Sequence, residues 1–560
     1  MSKTLHHRGP DSNGMYRGDT IGLAHTRLSI IDKENGQQPF VSEEGVVLIA
    51  NGEIYNDLKL RKEFSNSYYK TNSDSESILQ LYLKFGVNFI NYLHGMYAVA
   101  VYDPRINTLI LARDIFGIKP LYYTETRDAV WFASETQSLR VPQTLPAREN
   151  KTAIDEFFAL QYSCDRETAI SGVYRVLPGE TLVIRDGKVG HKYQQQFLPR
   201  PKRNKVTTQK DFEDLWIEAL SNHTRSDGPY GMFLSGGVDS ASILVGCNKI
   251  NNLPKIAYTA RFPASSVMDE CEQASALATH FGVEHCTVDV SESDFWNNLG
   301  PIVEAMDEPI ADYAAVPTYI MAKIASRDVK VILTGEGGDE VFAGYGRYRA
   351  ATRPLFLKKN MWSKNILGRV GVLRYPKNKW RDNLSNFEKD LEVRDMSKLQ
   401  KLQTVDINYW LPNNLLTKVD RCLMAHGVEG RVPFLDVNIS RLGFFLDDSQ
   451  KVSGRLGKFF LRQWLAKACP IAKPFERKQG FSVPILKWLL LKAPLLSHLV
   501  AKQPGVHQHC DPEAVKGLFR RANTRNAHAI WILLFYALWH QYHIVGIESG
   551  GAVEDLLVRS

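Results

Sequence analysis

Residues Tyr230 to Ser240, reading YGMFLSGGVDS, constrain this chain more than any other stretch. The apolar run Met232-Phe233-Leu234 ends in Ser235-Gly236-Gly237, and an apolar segment with helical character, Ala241 to Cys247, follows at once. Strand, tight turn and helix are predicted in that order. Two adjacent glycines let the backbone turn sharply and expose its N–H groups, with no side chain to keep an anion at a distance. The positive end of the following helix faces the same spot. Ser235 and Ser240 add hydroxyl donors, whereas Asp239 repels a phosphate unless a cation stands between them, which points to Mg2+. The expected ligand is a pyrophosphate group with its metal. A β-turn running into an N-capped helix has the same composition, so the stretch takes its meaning from its surroundings.

No lysine follows the glycines as a Walker loop requires. The stretch resembles instead the PP-loop of ATP pyrophosphatases, enzymes that split ATP between its α and β phosphates to adenylate an acid. That resemblance implies ATP contacts from Leu234, Ser235, Gly236, Gly237, Asp239 and Ser240. Downstream come a strand at Ile256 to Ala260, a helix from Glu270 to Phe281 and a strand at Cys286 to Val290. Such alternation predicts a parallel sheet with helices on both faces. Ligands of these sheets sit beyond the carboxyl ends of the strands, which adds Ala260 to the ATP set. A third strand, Val329 to Leu333, runs into Thr334-Gly335-Glu336-Gly337-Gly338-Asp339-Glu340. Thr334 and Gly335 join the ATP set, and the three carboxylates suit Mg2+ or a substrate ammonium, a solvated acidic loop being the plain alternative.

Strands dominate the amino-terminal third. Gly22 to Ile31, Val46 to Ala50, Tyr97 to Tyr102 and Leu109 to Ala112 read as strands, the last two as a hairpin pair, and Ser73-Asp74-Ser75-Glu76 caps a helix through Tyr82. The blocks RGPD, HTRLSI, NGEIYN, SDSE and RDIFGIKPLYY together resemble the class II glutamine amidotransferase domain of the asparagine synthetase family. The residue types suit glutamine: a guanidinium such as Arg27 can clamp its carboxylate, Glu53 and Asp74 can receive its ammonium, and Asn51 with the Gly52 N–H can stabilise an oxyanion. The resemblance assigns the glutamine site to Arg27, Asn51, Gly52, Glu53 and Asp74. Taken singly, most of these are also ordinary turn or capping residues.

Resemblance to the same family continues through the GEGGDE block, Leu415 to Asp436 (LLTKVDRCLMAHGVEGRVPFLD) and Gly457 to Arg462 (GKFFLR). It implies catalytic roles for Glu336 and Lys458 and a metal site at Asp239 and Asp339. Lys458, with Arg462 four residues on along one helix face, is placed to offset charge on leaving pyrophosphate. Lys478 to Phe481 resembles a later family loop without an assigned role. The likeness weakens only at about 353 to 400 and in the final tail.

Two departures stand out. Family members begin with a Cys whose thiol attacks glutamine, a strand and a helix upstream of the block that starts here at His7. This chain starts six residues before His7 and its first cysteine is Cys164. The nucleophile is absent, and Ser2 lies too close to that block to replace it. The chain as written is expected not to hydrolyse glutamine. Either its coding start lies further upstream, which the retained glutamine set favours, or ammonia or another amine enters directly. The second departure is Tyr313, where well-known asparagine-forming members carry an arginine suited to a carboxylate.

At 560 residues the chain holds two or more domains, and 44% hydrophobic with 23% charged residues are ordinary globular values. A net charge of +8 without a run of five or more Lys or Arg does not by itself imply a nucleic-acid partner, none is expected, and Pro199 to Lys205 reads as a solvated linker. Seven cysteines without a C-x-x-C pair indicate a reducing compartment rather than zinc or disulfides. No signal peptide opens the chain, and the most apolar run, Ala529 to Trp539, is a core helix rather than a membrane span. A cytoplasmic enzyme is expected, with small-molecule partners, no membrane and a homodimer left open.

The expected fold is α/β and α+β in two domains. A truncated Ntn-type glutaminase β-sandwich at 1–150 is joined by a connector at 151–209 to a PP-loop ATP pyrophosphatase sheet with added helices at 210–560. The expected reaction uses ATP and Mg2+ to convert aspartate to asparagine through β-aspartyl-AMP, with AMP and pyrophosphate released and nitrogen from glutamine or ammonia. Amidation of another carboxylate, in a sugar uronate, peptidoglycan or a peptide, is the first alternative, and a non-catalytic binding relative the second. A PP-loop enzyme acting on tRNA would need a concentrated basic surface and often catalytic cysteines, neither of which is present.

Overall fold

The computed structural model describes residues 1–64, 68–141, 147–195, 208–263, 270–351, 365–375, 379–476, 484–548 and 550–558. The basic stretch at 199–205 and the loop at 478–481 lie outside these residues.

Eleven strands build the amino-terminal half: β1 (Ser12–Arg17), β2 (Gly22–Arg27), β3 (Phe40–Val41), β4 (Val47–Ile54), β5 (Gly95–Asp103), β6 (Thr108–Arg113), β7 (Tyr122–Glu125), β8 (Val130–Ala133), β9 (Tyr174–Arg175), β10 (Glu180–Arg185) and β11 (Lys188–Gln194). The main sheet is antiparallel with the order β11-β10-β6-β5-β4-β3. Both of its faces are covered, which is why β5 and β6 read as near-continuous apolar runs. On one face Val99 and Val101 pack against Ile78, Leu81 and Tyr82 of the helix Glu76–Phe85. On the other, Ala98, Ala100 and Leu111 meet Leu23 of β2 and Tyr123 of β7. The hairpin expected from Tyr97–Tyr102 and Leu109–Ala112 is present, in the register Ala100↔Leu111.

One boundary needs correction. The sequence places residues 151–209 in a connector, yet β9, β10 and β11 fall within it, and β10 adds directly to β6. Leu182 and Ile184 supply one face of that core and Val183 the other, so the first domain extends to the end of β11.

The second half is built on five parallel strands in the order β14-β13-β12-β15-β16: β12 (Tyr230–Phe233), β13 (Ile256–Arg261), β14 (Glu284–Asp289), β15 (Val331–Leu333) and β16 (Glu429–Arg431). Helices flank both faces, as the alternation predicts. Val238–Lys249, Gln209–His223 and Phe459–Ala468 share one core with Met232 and Leu333. Glu292–Ala305, Ala315–Ala325 and Ala527–His540, buried at every position but His528, share the other with Tyr258 and Ile332. The last of these is the apolar run predicted as a core helix. Among the described residues no helix is long and apolar enough to cross a membrane. Strand β16 is not expected from the sequence, because its side chains, Glu429 and Arg431, are charged.

Candidate active site

Strand β12 ends at the glycine turn, and Gly237 starts the helix Val238–Lys249 with no side-chain cap. The two serine hydroxyls close this turn on itself. Ser240 Oγ donates to the Ser235 carbonyl at 2.7 Å and accepts the Ser235 N–H at 3.0 Å, while Gly237 N–H donates to Ser235 Oγ at 3.2 Å. Leu234 N–H donates to the Tyr258 carbonyl at 2.9 Å, which fixes the turn to β13, whose buried Ala260 lies on the same edge.

The acidic loop after β15 meets this turn. A Cβ on Gly335 would come within 2.9 Å of Asp239 Cβ, and one on Gly338 within 2.7 Å of Asp239 Oδ1. Glycine is therefore required where the loops touch. Lys458, at φ +54° just before the helix Phe459–Ala468, closes the group. Its buried Nζ pairs with Asp239 Oδ2 and lies 2.6 Å from Asp339 Oδ1. Asp239 Oδ1 and Thr334 Oγ1 are buried without a hydrogen-bond partner among the described residues. Asp239, Ser240, Thr334, Gly335, Asp339 and Lys458 are thus brought together. Arg462 donates to the carbonyls of Gly457, at 2.9 Å, and Pro474, and so braces the segment that carries Lys458, while burial lowers its pKa and the nearby Asp239 and Asp339 charges oppose that.

Mg2+ favours carboxylate, water and phosphate oxygens over an all-protein cage. Asp239 and Asp339, two carboxylates converging on one lysine, fit that preference. Glu340 does not fit. Burial and the neighbouring Asp339 raise its pKa to about 8, and it accepts the Tyr345 hydroxyl at 2.6 Å.

Glu336 faces a second group. Its carboxylate lies 3.6 Å from Lys418 Nζ, which lies 3.3 Å from Asp312 Oδ2. Against burial, Asp312 and Glu336 hold the Lys418 ammonium firmly protonated. Asn414 donates to Asp312 at 3.4 Å and leaves its own Oδ1 buried without a partner among the described residues. Beside them the Tyr313 ring lies 5.7 Å from that of His528. Lys418 and Asn414 were missed as site residues. The local signal was weak, since Lys418 stands in LLTKVDRCLM beside Thr417, Asp420 and Arg421 and reads as one more polar helix position.

The five residues expected to hold glutamine line one cavity of about 370 Å³, between the main amino-terminal sheet and the second domain, where Met424 and Glu429 complete the wall. Ser2 faces the same cavity. Asp74 accepts the Ile54 N–H at 2.6 Å, and burial raises its pKa to about 6. Glu53 accepts from Arg431 at 2.9 Å and its other oxygen, Oε1, has no partner among the described residues, like Asn51 Nδ2. Burial first, then the Asp74 charge, push the Glu53 carboxyl well up, with Arg431 opposing. A free acceptor and a free amide donor in one cavity complement an ammonium and an amide oxygen. The Arg27 guanidinium donates to the carbonyls of Ile31, Asp32 and Lys33 at 3.0, 2.7 and 3.2 Å, so its visible work is to shape that loop.

Buried ion pairs join the halves. Arg8 forks onto Asp420 at 2.7 and 2.9 Å and reaches Glu135 at 2.9 Å, and Arg421 donates to the Ser134 carbonyl at 3.3 Å and lies 3.9 Å from Glu135. Lys119 meets Glu429 at 3.1 Å. These cations come from the RGPD, VDRC and IKPLYY blocks.

Comparison with known proteins gives the chain's family. The family profile described as a glutamine amidotransferase domain matches residues 1–197, and that of asparagine synthase matches residues 211–541. Asparagine synthetase [glutamine-hydrolyzing] 1 of Bacillus subtilis is 32% identical over 97% of this chain and 93% of its own length. A putative asparagine synthetase of Mycobacterium tuberculosis is 30% identical over 96% and 92%. Asparagine synthetase B of Escherichia coli is 28% identical over 86% and 78%. With both halves matched in order, the chain belongs to the asparagine synthase family.

Proposed function

We propose that this protein is an ATP-dependent carbon–nitrogen ligase that amidates the side-chain carboxylate of aspartate. The observation that carries the reading is the meeting of the glycine turn and the acidic loop at Lys458, with Asp239 Oδ1 and Thr334 Oγ1 left unpartnered. An aspartate oxygen attacks the α-phosphorus of ATP, and the bond to pyrophosphate breaks. Lys458 offsets the charge that gathers on the departing group. Mg2+, held by Asp239 and Asp339, would add further charge neutralisation there. Ammonia then attacks the acyl carbon, AMP leaves with the bonding electron pair, and Glu336 receives the proton released from nitrogen. Lys418, 3.6 Å away, holds that carboxylate in place.

The cavity lined by Asn51, Glu53 and Asp74 is assigned to glutamine, with Met424 and Glu429 of the second domain in its wall. A second reading, amidation of a different acid, draws on Tyr313 and His528, whose rings stand beside Lys418 where a guanidinium would mark an α-carboxylate. Aspartate labelled with 18O in its side chain separates the readings. Transfer of one label into AMP supports adenylation of aspartate. Unlabelled AMP, with pyrophosphate release driven by another acid from a panel, replaces it with the second.

A further inference from the structure

Arg431 is fully buried, yet it belongs to neither set of reacting groups assigned above. Every branch of its guanidinium is engaged. Nε donates to Glu429 Oε1 at 2.9 Å, and Nη1 to the carbonyls of His223 at 2.9 Å and Arg225 at 2.6 Å. Nη2 donates to Glu53 Oε2 at 2.9 Å, across the domain boundary. The backbone of the same residue pairs with β15 in the register Leu333↔Arg431, and its carbonyl accepts the Thr334 N–H at 2.9 Å. One residue therefore holds a carboxylate of the amino-acid cavity by its side chain and the start of the acidic nucleotide loop by its main chain. Both neighbours end in an unpartnered buried atom, Glu53 Oε1 on one side and Thr334 Oγ1 on the other.

We propose that Arg431 is a positioning residue that couples the amino-acid cavity to the nucleotide loop, so that an α-amino acid held at Glu53 and ATP held at Thr334 change one another's affinity. The inference rests on the assignment of those two sites made above. An ammonium arriving at Glu53 Oε1 makes that carboxylate shared between two cations and moves its balance point. The guanidinium is a rigid planar fork with all its partners fixed, so it transmits the shift where a flexible ammonium would absorb it. Strand β16 is three residues long and sits at the sheet edge, and its Arg431 carbonyl is the acceptor that orients Thr334. A close-packed interior has few intermediate positions for such a chain of contacts. By linkage the effect is reciprocal.

The test is calorimetric. Binding of ATP with Mg2+ is measured with and without saturating L-glutamate, which offers the α-ammonium and carboxylate but no amide, and D-glutamate serves as the control. The unaltered protein is expected to show at least a fivefold change in ATP Kd, and the same factor in glutamate Kd when the order is reversed. In Arg431→Lys, which keeps the buried charge but not the fork, the factor should fall to within twofold of unity, while ammonium-driven amide synthesis keeps its kcat within about threefold. Arg431→Gln should behave likewise, and the lysine variant decides the matter if the glutamine variant does not fold. Undiminished coupling in Arg431→Lys, no coupling in the unaltered protein, or no glutamate binding overturns the proposal. Coupling without any amide formation would strike the assigned reaction and leave the link standing.

Discussion

Lys458 pairs with Asp239 and Asp339 from a left-handed backbone position, and its replacement should separate fold from chemistry. Lys458→Met is expected to lower pyrophosphate release by about 10²–10³-fold, the scale of losing one preorganised cation at a developing charge. Lys458→Arg should restore little, since a planar fork does not fill the place of a point charge between two carboxylates. A continuous pyrophosphate assay reads both, and a rate within threefold of the unaltered protein in Lys458→Met would contradict the role. Asp74 gives a second expectation. Burial raises its pKa to about 6, so the ionised form that receives an ammonium is lost as pH falls through that value. Glutamine or glutamate affinity should therefore weaken below about pH 6, by up to tenfold per unit, because the ligand's own α-groups keep their charges there. Affinity that stays flat from pH 5 to 8 would show that Asp74 does not meet the ammonium. At this scale the sequence names candidate residues but not where each points. Arg27 spends its visible hydrogen bonds on carbonyls 31–33 because the backbone course of that loop, absent from any motif, decides its partners. Lys418 was passed over because its carboxylates, Asp312 and Glu336, come from distant parts of the chain.

At the scale of elements, the loops at the carboxyl ends of β12 and β15 make one site only because glycine lets them touch. Gly338→Ala sets a methyl 2.7 Å from Asp239 Oδ1 and should raise the KM for ATP about tenfold or more, while the circular dichroism spectrum stays unchanged. An unaltered KM would mean that the loops do not need this approach. Strands β12, β13 and β15 and their helices were legible, since each strand is an apolar run ending in a glycine-bearing turn or at the edge where such turns gather. Strand β16 was not. Its outer residues are charged, and their burial depends on Lys119 and Glu53 from the other domain. No local pattern signals a strand whose polar side chains are neutralised by partners more than 300 positions away. Strands β9 to β11 went unassigned to the first domain for a related reason, as β9 pairs back to β7 and β10 to β6 across the helices that lie between them in the chain.

Across the whole molecule, the two domains meet through buried charge rather than through apolar surface alone. Removing one member should therefore cost far more than a surface pair would. Arg8→Ala leaves Asp420 and Glu135 buried with fewer cations and is expected to destabilise the protein by about 3 kcal/mol, seen as a lowered unfolding temperature in calorimetry. Against burial, which works the other way, Arg421, His7 and Arg8 hold Glu135, and Arg8 and Arg421 hold Asp420, below the ordinary carboxylate range. Their contribution is full above the unfolded carboxylate values and is lost as pH falls through the depressed ones, so the penalty of Arg8→Ala should shrink in acid. An unchanged unfolding temperature at neutral pH would place the interface elsewhere. The two-domain plan was readable because each half carries its own ordered motifs, whereas the salt-bridged seam needs coordinates. The central claim is that ATP is split at its inner phosphoryl bond to activate an acid. Phosphorus NMR of the protein with ATP, Mg2+, ammonium and aspartate tests it most directly. AMP and pyrophosphate appearing in equal amounts with asparagine is the predicted result, and ADP with inorganic phosphate is the result that would contradict it.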